Sequence, residues 1–256
     1  MKCFKVYSIV LVLVGVGFDC FSQSKEVVTQ DAEWFQINSA MKFHKRFGLF
    51  SDGQFRYSDF QNAQYLARTG LEIFINKNLS IVPVGYAYIW NYQYGEQPVT
   101  YPADEQRLWE HIMYKHKAGK LSFNHRLRLE QRFIEKFSTN QSGDVINEGF
   151  ENYRNRIRYR ILFWSPFKGD TIVPESWFWG AWNEVFISWG DGVTYNKPDQ
   201  NRTQIALGYQ VNKDFQIILG PYYQYLIKSN GTQQENNVGF NMWFNYNFDF
   251  SKESGN

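Results

Sequence analysis

Cysteine is almost absent from this chain of 256 residues: it has two, Cys3 and Cys20, both near the amino terminus. Lys2 and Lys5 precede an apolar run from Val6 to Phe18. That is the length of a signal-peptide core and too short to span a bilayer comfortably. Cys20 and Ser22 are small residues two apart, so cleavage just after Ser22 or Gln23 is expected, with residues 1–23 as the leader. The mature chain would then have no cysteine, which excludes disulfides, thiolate chemistry and cysteine-based metal sites. An uncleaved anchor and a lipid on Cys20 are the alternatives. Phe18 and Asp19 are unlike the small or aliphatic residues that normally lead into a lipidated cysteine.

An excess of either charge is also missing. The chain carries 27 Lys+Arg and 25 Asp+Glu, and removing Lys2, Lys5 and Asp19 leaves 25 and 24. A nearly neutral protein is not a general polyanion binder, so no nucleic-acid partner is expected. Beyond the leader no segment approaches 18 uninterrupted apolar residues, which excludes a transmembrane helix. The four histidines are His44, His111, His116 and His125. His111 and His116 fall on opposite faces of one strand, and no pair has metal-ligand spacing with a nearby carboxylate. Glycine-rich phosphate loops are lacking. No metal or cofactor is expected.

What the chain has is aromatic residues, 19% of it, and alternation. Arg154, Arg156, Arg158 and Arg160 interleave with Tyr153, Asn155, Ile157, Tyr159 and Ile161. A period of two puts side chains on opposite faces of a strand. Asn124, Arg126, Arg128, Glu130 and Arg132 likewise share one face, opposite Leu121, Phe123, Leu127, Leu129 and Phe133. Similar stretches run Trp34–Lys42, Arg46–Tyr57, Leu66–Ile75, Ser80–Tyr92, Gln106–Lys117, Lys120–Phe133, Tyr153–Phe163, Trp177–Trp189, Gln200–Val211, Phe215–Leu226 and Asn236–Phe248. Lengths of about ten residues suit a tilted membrane strand better than a typical soluble one.

Tight turns are expected at His44-Lys45, Asn76-Lys77-Asn78, Ala118-Gly119 and Asn212-Lys213-Asp214. Longer polar loops are expected at Ser58–Tyr65, Gln93–Glu105, Ile134–Asn152, Gly190–Asp199 and Lys228–Glu235, with Ser165–Ser176 on the short-turn side. Outer-membrane barrels place short turns in the periplasm and longer loops outside. Three features resist the assignment: Asp52-Gly53, a usual hairpin signal, and Pro83 and Pro221, which cannot donate to a ladder. The fold expected is all-β, a transmembrane antiparallel up-and-down β-barrel. Eleven strands would leave the termini on opposite sides, so the parity of an antiparallel barrel asks for about twelve strands, or ten if one weak strand fails.

Gln106-Arg107-Leu108-Trp109-Glu110, His125 through Phe133, Arg156 through Arg160, Asn183-Glu184-Val185-Phe186 and Gln200-Asn201-Arg202 follow one another along the chain. With Gly85-Tyr86 upstream and Asn245-Tyr246-Asn247-Phe248 at the end, they resemble domain of unknown function 2490, an outer-membrane barrel-like family common in Bacteroidetes. The resemblance covers nearly all of the mature chain. It implies an exported protein of a Gram-negative outer membrane and a barrel architecture, and it supplies no reaction and no ligand. Outer-membrane lipid and the barrel-assembly machinery are the partners such a location implies.

The polar faces would share one interior. Arg126, Arg128, Arg132, Arg154, Arg156, Arg158, Arg160 and Arg202 are the candidate anion-contacting residues, with Glu72, Glu130 and Glu184 as their ion-pair partners. Arg68, Arg107 and His111 have the same facing. Arginine's planar fork holds a carboxylate through two bonds, so Arg–Glu pairing is one way to fill such a lumen. The rival reading is a pore for small anionic solutes, because excess positive charge in a wet constriction favours them. A lipid hydrolase would need a serine beside a histidine base. Asn124-His125 is followed by Arg126-Leu127-Arg128 rather than by the serine and glycine that would complete such a motif, so no enzyme is expected. A soluble periplasmic β-barrel binding protein is the remaining alternative. Trp177, Trp179, Trp182, Trp189, Trp90 and Tyr92 suit the headgroup boundary, with a sugar-stacking platform as their functional rival.

Overall fold

The computed structural model of the protein describes residues 25–195 and 197–251. The leader expected over residues 1–23 lies outside them. The chain forms β1 (Glu26–Lys42), β2 (Phe47–Ser58), β3 (Gln61–Phe74), β4 (Leu79–Asn91), β5 (Glu105–Ala118), β6 (Leu121–Ile134), β7 (Phe137–Thr139) and β8 (Val145–Asn147). It continues through β9 (Asn152–Pro166), β10 (Ser176–Gly190), β11 (Gln200–Gln210), β12 (Phe215–Ile227) and β13 (Gln233–Asp249). Eleven strands close into a barrel in the order β1-β13-β12-β11-β10-β9-β6-β5-β4-β3-β2, and β7 and β8 form a separate hairpin. No helix among the described residues is long and apolar enough to cross a membrane.

Each barrel strand overlaps one stretch expected from alternation. The expected count of twelve is corrected to eleven. β1 and β13 run parallel through an unbroken register from Glu26 with Gln233 to Lys42 with Asp249, so an odd number closes and the termini lie at opposite ends. The parity argument assumes that every neighbouring pair is antiparallel, and this seam is not. β1 also begins at Glu26 rather than Trp34. Its first residues give β13 a partner along its whole length and leave no open edge there.

The resistant signals are absorbed locally. Asp52 and Gly53 lie inside β2 opposite Arg68 and Ala67. Pro83 sits at a bulge, where the β4–β5 register shifts between Val82 and Gly85, so its missing N–H breaks no regular ladder bond. Pro221 stays in β12 opposite Phe240. The loop expected over Ser58–Tyr65 is instead a two-residue turn. Asp59 and Phe60 have φ of 51° and 58°, the left-handed pair whose twist matches a tight hairpin.

The outward faces are apolar along most of the strands: Ile205 is 62% exposed, Ile37 52% and Ile112 50%. So much apolar surface on one continuous belt has no place in water and matches a lipid-facing band. Aromatic residues gather toward the strand ends, as in Phe215 stacked on Tyr246 at 4.3 Å and Tyr65 edge-on to Tyr92 at 5.1 Å. The protein is a transmembrane β-barrel whose polar faces point inward.

Candidate functional site

The lumen follows from parity. Along β6 and β9 the even-numbered residues face inward, which brings Arg126, Arg128, Glu130 and Arg132 opposite Arg160, Arg158, Arg156 and Arg154. Three of these four pairs set like charges opposite, which repel, so their guanidiniums turn to other rungs and other strands, whereas Glu130 faces Arg156 on its own rung. Arg156 donates to Glu130 Oε2 at 2.8 and 3.0 Å, and Arg158 donates to Glu130 Oε1 at 2.6 Å. Arg158 also donates to Glu184 Oε2 at 2.9 Å, and Arg126 to Glu184 Oε1 at 2.7 Å. The result is a continuous chain, Arg126–Glu184–Arg158–Glu130–Arg156, spanning β6, β9 and β10.

Two further clusters flank it. Arg132 donates to Glu105 at 2.5 and 2.8 Å, and Arg107 shares the same carboxylate. Arg68 holds Asp52 through two bonds of 2.8 and 3.0 Å. Glu105 and Asp52 thus add acidic charge beyond the three glutamates expected in the lumen. Glu105 falls at the end of an expected loop, and Gly53 gives Asp52 the look of a turn residue. Phe47, Leu49, Phe55 and Tyr57 on the other parity of β2 are the signal that points Asp52 inward.

Four of the eight candidate arginines have no carboxylate within 4.0 Å among the described residues. Arg128 donates to His111 Nδ1 at 3.2 Å and lies over the Trp109 ring at 4.4 Å. Gly70 and Gly85 make room for that indole, because a Cβ at either would collide with it. Arg154 donates to Asn152 Oδ1 at 3.2 Å. Arg202 lies between the rings of Trp34 and Phe186, at 5.1 and 4.8 Å. Arg160 faces the inner cavity. Glu72, expected as an ion-pair partner, is corrected: its carboxylate accepts from Ser80 Oγ at 2.6 Å.

Aromatic side chains occupy the other half of the lumen. Trp34, Phe178, Trp182, Tyr222 and Trp243 pack there with Leu162 and Ile218. Trp182, expected at the headgroup boundary, is inside and donates its Nε1–H to Gln204 Oε1 at 2.7 Å. It is even-numbered, whereas Trp177, Trp179 and Trp189 are odd and stay outside. Between the two fillings lie two cavities of about 380 and 220 Å³. Trp34, Gln54, Arg68 and Arg158 line both, so these four side chains form the partition between an outer and an inner vestibule.

The β4–β5 loop reaches over the outer vestibule toward the seam. Glu96 N donates to Gln30 Oε1 at 3.3 Å, Gln97 Nε2 to the Glu26 carbonyl at 3.1 Å, and Tyr94 Oη to Glu235 Oε2 at 3.3 Å. Burial, together with the neighbouring Glu235 carboxylate, holds the Tyr94 hydroxyl above its ordinary range, so it remains a donor. Lys228 pairs with Glu235 at 2.6 Å. Removing two tethers with Tyr94→Phe and Gln97→Ala, each worth about 1 kcal/mol, is expected to speed proteolytic cleavage within residues 92–104 several-fold without changing barrel melting. Cleavage at the parental rate would show that these bonds do not hold the loop.

On the outer surface His125 Nδ1 lies 2.8 Å from the Tyr159 hydroxyl, and its ring stacks on His116 at 5.1 Å. This is an aromatic girdle contact.

A sequence model of the family described as "Protein of unknown function (DUF2490)" matches residues 32–236. None of the curated proteins matches the chain. Among solved structures, the fold is similar to that of the NanC porin, with 10% identity and a TM-score of 0.47 over 85% of this chain and 98% of that one.

Proposed function

Because the chain belongs to the DUF2490 family, whose description supplies no activity, its role has to be argued from its own lumen, and we propose that it is a narrow outer-membrane pore favouring small anions. The observation that carries this reading is the surplus of guanidiniums facing the two vestibules. Arg154 and Arg202 line the outer one and Arg160 the inner one, each without a carboxylate partner among the described residues. A cation held in a confined wet space without a counter-charge attracts anions and repels cations. The paired arginines keep the walls rigid, and Arg154, Arg160 and Arg202 outweigh the carboxylates Glu33 and Glu72, which line the vestibules without an ion pair among the described residues, in setting the sign of the field. Export across the inner membrane directed by residues 1–23, their removal, and insertion by the barrel-assembly machinery into the outer membrane of a Gram-negative cell complete the reading. No catalytic group is included in it.

Planar-bilayer recording tests the proposal. In a potassium chloride gradient the reversal potential is expected to have the sign of chloride preference. Arg154→Gln combined with Arg160→Gln is expected to lower the chloride-to-potassium permeability ratio by about twofold or more. A closed barrel, or a pore that prefers potassium, overturns the proposal. A closed barrel would favour the second reading, in which the Arg126-to-Arg156 ion-pair chain serves to fill a structural barrel.

A further inference from the structure

The outer vestibule contains two cations held by aromatic rings rather than by carboxylates. Arg56 lies over Trp34 at 4.2 Å, and Arg202 over the same indole at 5.1 Å and over Phe186 at 4.8 Å. Arg56 donates only to neutral amides, Gln54 Oε1 at 2.6 Å and Gln64 Oε1 at 2.8 Å. Arg202 is 5% exposed and has no carboxylate within 4.0 Å among the described residues. Ring stacking fixes a guanidinium plane while leaving its N–H edge free to bind. A buried cation without a counter-charge is costly, and this cost is relieved when an anion binds.

The rest of the wall narrows the anion's chemistry. Gln200 and Asn237 line the same cavity, and the side-chain oxygens Gln200 Oε1 and Asn237 Oδ1 are buried without a donor. With Asp199 Oδ1 on the same wall also lacking a donor, these acceptors ask for hydroxyl or amine hydrogens, and a cationic amine is disfavoured because the arginines lining the cavity outnumber its carboxylates. A cavity of about 380 Å³ is within the range of small-molecule sites. We infer that the outer vestibule is a binding site for a small hydroxylated organic anion, its acidic group on Arg202 and Arg56 and its hydroxyls on Gln200 and Asn237. The assignment deepens the anion-path proposal and rests on it for how the solute enters.

Calorimetric titration of the purified barrel in detergent tests the site, with gluconate as the probe and hexanoate as an acid of the same chain length without hydroxyls. Gluconate is expected to bind at least about fivefold more tightly than hexanoate, and Arg202→Gln to weaken it about tenfold, the effect of losing a charge-assisted bond. Gln200→Leu is expected to weaken gluconate and leave hexanoate unchanged. The heat-dependent electrophoretic shift of each variant reports that the barrel has formed. Absence of gluconate binding, equal binding of the two acids, or an unaltered affinity in Arg202→Gln overturns the site. Bilayer recording on the same preparation separates the two claims. An anion-selective pore that does not bind gluconate removes the site and keeps the path, whereas gluconate binding without conductance removes the path.

Discussion

Glu130→Gln is expected to destabilise the folded barrel by about 3–5 kcal/mol, the usual cost of breaking a buried ion pair by removing one partner. Glu130 is fully buried. It accepts from Arg156 and Arg158, and Arg107 and Arg68 approach it at 3.5 and 4.0 Å. Glutamine keeps the shape but removes the charge that four guanidiniums share, and its amide group adds a donor among donors. Arg156→Gln is expected to cost much less, because Glu130 keeps Arg158. Equilibrium urea unfolding in micelles measures both. Equal losses from the two substitutions would mean that Glu130 is not the hub of the network. Added salt should rescue little, since ions screen buried pairs poorly.

Trp34→Ala is expected to widen the passage between the two vestibules and raise single-channel conductance several-fold. Trp34 lines both cavities, packs edge-on against Tyr222 at 5.1 Å and Trp182 at 6.4 Å, and supports both Arg56 and Arg202. Losing the indole removes the bulkiest part of the partition. It should also cost about 3 kcal/mol, near the low end for an aromatic truncation, because water from either vestibule can fill the space. Arg158, also in the partition, is held by two carboxylates and cannot swing aside as easily. Conductance no higher than that of the parent would place the barrier elsewhere in the lumen.

Much of the barrel is legible in the chain because strand facing is local. Once Ile157, Tyr159 and Ile161 are assigned to one side, Arg156, Arg158 and Arg160 must take the other, whatever the rest of the chain does. The same rule, applied strictly, also finds Asp52, Trp109, Trp182 and Trp243, all on the polar parity of their strands. Glu105 escapes it as the first residue of β5, where strand boundaries are least certain. The β7–β8 hairpin escapes because its two strands are three residues each and bury nothing that periodicity could register.

Arginine partners are not legible in this way. Arg126 reaches Glu184 across the intervening β9, a contact created by barrel curvature and strand stagger rather than by sequence spacing. That these strands are two-faced, with arginine on one side and apolar residues on the other, is settled by the chain alone, because alternation depends only on neighbouring residues. How the barrel closes and which charges remain unpaired depend on the assembled fold. The parallel seam of β1 and β13 sets the strand number, strand number and stagger set which side chains meet across the lumen, and Arg154, Arg160 and Arg202 are left facing open space without a carboxylate among the described residues.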